Sequence, residues 1–325
     1  MRILIVGGTS FVGRAITWAA CEAGHEVTLI NRGKSPADVP DNVTRLVGDR
    51  SSDLTALATL SFDATVDVIA YRPGDVRVLA ESLDGRGGHH LQISSISSYQ
   101  EPANEGATED DVALWLDAPN EPDAAITEET YGPLKAACER AASEYFGSKL
   151  TIVRPTFVIG SHDATMRFPY WVQRVRRGGT IAVPGPRSNN LQYIDARDLA
   201  SFVVTLLQNQ TLGAFHAAGP YPAPGFYDVI DAIASHLAPA DTNLVEISPK
   251  QILSHHLGSR FPLWTGAQSE TVLNVNPAKA LDAGLSLRDL SESVDDVAAW
   301  YDGEEPWPSS WLTREQEAML VRSPR

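Results

Sequence analysis

Apolar positions in the first half of the chain come in short runs closed by glycine or polar residues and separated by stretches of helical spacing. Met1–Val6 is nearly continuous in apolar residues and stops at Gly7-Gly8, as expected of a strand buried on both faces. A helix is predicted from Phe11 to Ala23, where Gly24 can terminate it. Strands follow at Glu26–Ile30, Leu46–Gly48, Ala64–Ala70, His90–Ser94 and Leu150–Arg154, and a helix is predicted from Tyr131 to Phe146. Strand and helix in alternation imply an α/β fold, a Rossmann-type doubly wound parallel sheet with helices on both faces. Ser95–Thr130 has no sustained periodicity and many Pro, Asn, Asp and Glu residues. A loop that long inside a compact domain is usually functional.

The pattern changes after Gly160. A basic and aromatic segment (Arg167, Phe168, Tyr170, Trp171, Arg174, Arg176, Arg177) leads to Gly178-Gly179, short strands and Pro-Gly-Pro at 184–186. We expect a first domain over residues 1–160 and a smaller C-terminal α+β substrate domain over 161–325. The chain is expected to return to the first domain at about 191–218. There Leu199, Phe202, Val203 and Leu206 form one helical stripe within Asp195–Gln208, followed by a strand at Ala214–Ala218.

Composition narrows the function classes. The 325 residues include 26 basic and 41 acidic side chains, a net charge of −15, which argues against a nucleic-acid partner tracking phosphates. No apolar run approaches the ~18–20 residues of a membrane span, and Ile3–Val6 is too short for a signal-peptide core. With only Cys21 and Cys138 there is no disulfide framework. A cytoplasmic protein without a membrane partner is the expectation. The adjacent pairs His89-His90 and His255-His256 lack the spacing of metal ligands, and no metal site is expected.

Gly7-Gly8-Thr9-Ser10-Phe11-Val12-Gly13 joins the first strand to the first helix. Glycines permit a tight turn there, backbone N–H groups can face a pyrophosphate, and the helix N-terminus favours its charge. The spacing fits G-x-x-G-x-x-G only with Ser10 in place of the middle glycine. Where an acidic residue would accept the adenosine ribose hydroxyls, the chain has Asn31-Arg32 with Lys34 close behind. Cations without a carboxylate favour NADP(H) over NAD(H). Asp49 is a candidate partner for the adenine amine and Arg50 for stacking on the base. Ala70 completes the cofactor set at the end of a strand.

Tyr131-Gly-Pro-Leu-Lys135 places a phenol and an ammonium on one helical face. A nearby cation stabilises phenolate, making tyrosine a usable acid or base near neutrality. The Gly7–Gly13 loop, the serine-rich Ser94–Ser98, Tyr131/Lys135, Arg154-Pro155 with Gly160, Tyr193–Ala200 and Asn276–Ala280 occur in an order that resembles the extended short-chain dehydrogenase/reductases, in particular the NAD-dependent epimerase/dehydratase family. That resemblance implies a Ser-Tyr-Lys site. Tyr131 would transfer the proton, Lys135 would hold the nicotinamide ribose and lower the Tyr131 pKa, and Ser95 would bond the substrate oxygen. Pro155, Thr156 and Val158 would border the nicotinamide.

Departures from the family narrow the chemistry. Ile96-Ser97 stand where the sugar-nucleotide dehydratases carry Asp-Glu, and Phe157 stands where the epimerases use Asn on the substrate diphosphate. The implied activity is hydride transfer between nicotinamide and a carbonyl or secondary alcohol. An epimerase working by transient oxidation of a nucleotide sugar is the alternative. A second class is a cofactor-binding regulatory protein with little catalysis, because the Gly-Gly-Thr-x-Phe-x-Gly loop also resembles that of chloroplast stem-loop RNA-binding proteins. Ser97, Phe157, His162 and Arg167 are expected to contact a small-molecule substrate, and the basic residues beside the cleft suit an anionic one. Trp307 and Trp311 are read as pins for the C-terminal tail. Small residues along Tyr131–Phe146 would permit helix pairing in a homodimer.

Overall fold

The computed structural model describes residues 1–34, 38–100, 105–111, 114–119, 121, 123–266, 274–302 and 308–322. Trp307 lies outside them. The chain runs β1 (Arg2–Val6), α1 (Phe11–Glu22), β2 (Glu26–Asn31), β3 (Thr44–Val47), β4 (Ala64–Asp67), α2 (Pro73–Leu83), β5 (His89–Ile93), α3 (Glu128–Phe146) and β6 (Leu150–Pro155). It continues through β7 (Phe157–Ile159), α4 (Arg167–Arg176), β8 (Thr180–Pro184), β9 (Tyr193–Asp195), α5 (Ala196–Gln208) and β10 (Gly213–Ala217). The last elements are α6 (Phe226–Leu237), β11 (Asn243–Ile247), α7 (Pro249–Ser254), α8 (Ala278–Asp282), α9 (Leu290–Trp300) and α10 (Arg314–Arg322).

Seven strands form one parallel sheet in the order β10-β6-β5-β4-β1-β2-β3. The apolar run of β1 is explained by its two covered faces. Ile3 and Ile5 pack with Ile16, Leu199, Phe202 and Val203 of α1 and α5, while Leu4 and Val6 pack with Leu79 and Leu83 of α2. Strand order reverses between β1 and β4, and an open parallel sheet leaves a crevice at the carboxyl ends of strands flanking such a point. The loops after β1, β4 and β5 all border a cleft there, through Gly7, Ile69 and Ser95.

A second apolar core joins α4, α6, α9 and α10 with the parallel pair β8–β11, through Trp171, Phe226, Ile181, Val294 and Leu320. The short pair β7–β9 connects the two regions. Helix α3 begins at Glu128, three residues before the expected start, because Thr127 caps it by accepting the Thr130 backbone N–H. Tyr131 and Lys135 therefore occupy its first two turns. The strand expected at Ala64–Ala70 stops at Asp67, whose carboxylate accepts the backbone N–H of Ile69 and turns the chain. Among the described residues, no helix is long and apolar enough to cross a membrane.

Candidate active site

Gly7, at φ +89°, turns the chain after β1, where a side chain would meet Ile69 Cγ2 at 2.6 Å. Gly13 does not line the cleft. It lets α1 pack on the turn, since a Cβ there would come within 2.1 Å of the Gly7 carbonyl oxygen. Ser10 is the N-cap of α1, yet its side chain makes no capping bond. Ser10, Phe11 and Val12 border the crevice at the start of α1, an arrangement suited to an anion. This tight, side-chain-free approach at a helix start fits a dinucleotide pyrophosphate.

On one side of the turn lies a pocket of about 350 Å³ lined by Thr9, Ser10, Asn31, Arg32, Lys34, Asp49, Arg50, Tyr71 and Arg72, among others. One expectation is revised within it, that for Arg50. Arg50 is not poised to stack on a base: its guanidinium grips fully buried Asp67 through two bonds, 2.6 and 2.9 Å, with Asp75 at 3.8 Å. The buried carboxylate requires that partner, and Arg50 holds it below the usual carboxylate range despite its burial. Asp49 commits Oδ1 to the Ser51 amide and hydroxyl, which hold its carboxyl low. Asn31 folds back to accept the Gly33 amide at 2.8 Å. Arg32 and Lys34 remain exposed at the pocket.

On the other side lies a cleft of about 530 Å³ bordered by Gly7, Phe11, Val12, Ser95, Ser97, Tyr131, Lys135 and the 155–158 segment, and reaching Arg167. The structure thus brings together Ser95, Tyr131 and Lys135 from three places in the chain. Burial pushes the Tyr131 phenol up, while the Ser95 hydroxyl and the Arg167 charge pull it down. Lys135 lines the same cleft. Its ammonium, 2% exposed, donates to the carbonyls of Ala70 at 3.0 Å and Ile93 at 2.7 Å and lies 5.3 Å from the Tyr71 ring centre. A buried ammonium needs acceptors, and the strand ends supply them. Burial lowers its pKa. Ala70 contributes this carbonyl and is not among the lining residues.

His162 is not among the residues bordering the cleft. At φ 63° its ring turns to Trp300, 5.0 Å away, and the next residues, Asp163, Ala164 and Thr165, line the cleft instead. Sequence reasoning also missed Tyr71, which borders both cavities, and Arg72, whose guanidinium donates to the Ala124 carbonyl at 2.8 and 3.0 Å. Their position just past β4, at the switch point, was the available signal. Cys138 is an inert packing thiol, pushed up to about 12 by burial.

Beneath the site runs a buried polar network. Glu139 accepts from Arg154 Nε at 3.0 and 3.2 Å, from a terminal nitrogen at 2.6 Å, and from Ser94 Oγ. Arg154 also donates to Tyr99 Oη at 2.8 Å. Ser94 and Tyr99 flank the single 3-10 turn Ile96–Ser98, so the network ties the serine loop to α3 and β6 from both ends.

A family model described as the NAD dependent epimerase/dehydratase family matches residues 3–217. The chain belongs to that family. Its members are NAD-dependent enzymes of the epimerase and dehydratase kind. The chloroplast stem-loop binding protein of 41 kDa b from Arabidopsis thaliana is 24% identical over 272 residues, 77% of this chain and 67% of that protein. A 3-diazoavenalumate denitrifying reductase from a Streptomyces species is 24% identical over 243 residues, 69% of this chain and 78% of that protein. The solved human epimerase family protein SDR39U1 (isoform 2), with NADPH, superposes at a TM-score of 0.66 and 19% identity, covering 92% of this chain and 99% of that one. That likeness concerns the fold.

Proposed function

We propose that the protein is an NADP(H)-dependent oxidoreductase that interconverts a carbonyl and a secondary alcohol. The carrying observation is that Ser95, Tyr131 and Lys135 line one cleft continuous with the glycine turn. The nicotinamide, when bound, supplies or accepts the hydride. Gly7, Ser10 and the first turn of α1 would hold its pyrophosphate, and Pro155, Thr156 and Val158 would border its ring. Ser95 orients the substrate oxygen, and Tyr131 Oη gives that oxygen a proton on reduction or removes one on oxidation. Lys135, at the wall of the cleft, is anchored to two carbonyls and keeps its third ammonium hydrogen for a ribose hydroxyl.

Arg32 and Lys34 beside the adenosine pocket support NADP(H), because they offer charge to a 2′-phosphate where a carboxylate would repel it. The relative named as a reductase supports net reduction over internal epimerisation. The test is NADPH oxidation with a panel of aldehydes and ketones, beside isomer exchange of nucleotide sugars without net cofactor change. Carbonyl-dependent oxidation that falls at least ~100-fold in Tyr131→Phe is expected, in line with the usual size of acid–base contributions. Unchanged turnover in that variant would overturn the mechanism. Isomer exchange without net oxidation would assign epimerase chemistry instead.

A further inference from the structure

We propose that the cleft takes a substrate bearing a carboxylate, which pairs with Arg167 and makes this arginine the specificity determinant of the site. The proposal rests on the hydride-transfer reading above. Arg167 opens α4 and lines the same cleft as Ser95 and Tyr131. Its side chain is 30% exposed, its Nε donates to Thr165 Oγ1 at 2.9 Å, and Asp163 Oδ2 lies 3.9 Å from the same nitrogen. Among the described residues, neither terminal nitrogen makes a hydrogen bond or an ion pair. The guanidinium lies 5.5 Å from the Phe157 ring centre, and its field reaches the Tyr131 phenol.

The loop does not require this guanidinium for its own folding. Buried Asp163 already accepts the Thr165 amide at 2.9 Å and its hydroxyl at 2.6 Å, and Trp311 Nε1 donates to the Thr165 carbonyl at 3.2 Å. Two donors in a planar fork at the end of a fixed side chain match the two oxygens of a carboxylate. The other walls of the cleft include Phe11, Val12, Ile69, Phe157 and Val158, which suit an apolar body between that anion and the reacting carbon. Asp163 behind the guanidinium offsets part of its charge, so a monoanion fits this place better than a phosphate dianion. In a chain of net charge −15, a cation kept at this cleft also concentrates anions where the chemistry occurs.

The experiment compares NADPH-dependent reduction of 4-carboxybenzaldehyde with that of its methyl ester, in the wild type and in Arg167→Gln and Arg167→Lys. The expected acid-to-ester ratio of kcat/KM is about tenfold or more in the wild type, carried by KM, falling to about one in Arg167→Gln and partly restored by lysine. A ratio near one in the wild type, or one that Arg167→Gln leaves intact, overturns the proposal while leaving hydride transfer standing. In parallel, benzoate binding to the NADP⁺-loaded protein is measured by calorimetry. Binding lost in Arg167→Gln supports the carboxylate subsite even where no aldehyde is reduced, a result that would refute hydride transfer alone. Benzoate that binds both proteins equally, or neither, overturns the subsite.

Discussion

Replacing Glu139 with alanine removes the acceptor on which the network beneath the site converges. The Glu139 and Arg154 side chains are 2% and 7% exposed, so alanine strands a buried guanidinium with Tyr99 Oη, at 2.8 Å, as its remaining side-chain partner. Removing one member of a buried pair costs about 3–5 kcal/mol, because the other charge stays desolvated. The Arg77–Glu81 pair, 54% and 57% exposed, provides the internal comparison, and Glu81→Ala should fall within about 0.5 kcal/mol of the wild type. Urea unfolding at pH 7, followed by far-ultraviolet circular dichroism, reads the difference. At an m-value of ~3 kcal/mol/M the Glu139→Ala midpoint should drop by about 1 M or more. The double variant Glu139→Leu/Arg154→Met, which replaces the pair with apolar volume, should recover most of that loss. Equal midpoints for Glu139→Ala and Glu81→Ala would refute the assignment of a desolvated pair.

Three further outcomes are expected. Gly13→Ala forces a Cβ to within 2.1 Å of the Gly7 carbonyl and should cost about 1–3 kcal/mol together with cofactor binding; a normal melting curve with normal NADPH titration would contradict the packing. The double variant Arg32→Ala/Lys34→Ala should weaken NADPH about 10–100-fold and NADH far less, as read by nucleotide fluorescence titration, since only the former offers a 2′-phosphate. An equal effect on both nucleotides would count against the NADP(H) assignment. Burial holds His90 at about 4, below its ordinary value, and its ring stacks on Phe146 at 3.6 Å. The unfolded chain therefore takes up a proton between pH ~6.5 and 4 that the folded chain refuses, so this residue makes stability fall as pH is lowered through that window. His90→Leu should flatten that part of the stability profile, and an unaltered slope would show that the imidazole is charged when folded.

Local pattern carried the sheet well. β1, β2, β5 and β6 lie within a residue or two of the apolar runs that predict them, because a strand covered on both faces must be apolar throughout. The boundaries that moved were set by side chains of ambiguous meaning in one dimension: Thr127 as a helix cap, and Asp67 as the end of a strand. Helix α2 and the later helices α6, α9 and α10 were not read. Part of the stabilisation of α6, α9 and α10 comes from a second core assembled with Trp171 and Ile181 from distant segments, and α2 depends on Leu4 and Val6 of β1.

For the site, the glycine turn and the Tyr131/Lys135 pair were legible because helix and strand geometry set their spacing within a few residues. The partners of charged groups were not. Arg50 beside Asp49 reads as a base-stacking pair along the chain, yet tertiary packing gives Arg50 to Asp67 and Asp75; Lys135 reads as a modulator of Tyr131, yet its ammonium goes to the carbonyls of Ala70 and Ile93. His162 and Asp163 differ by one position in sequence, and a single residue at φ 63° sends one ring toward Trp300 and leaves the other side chain at the cleft. Periodicity and turn chemistry are short-range properties, so the chain alone determined the α/β layering, the glycine turn after β1 and the residue types that line the cleft. Which buried charge satisfies which depends on desolvation in three dimensions, and only the folded structure decided it.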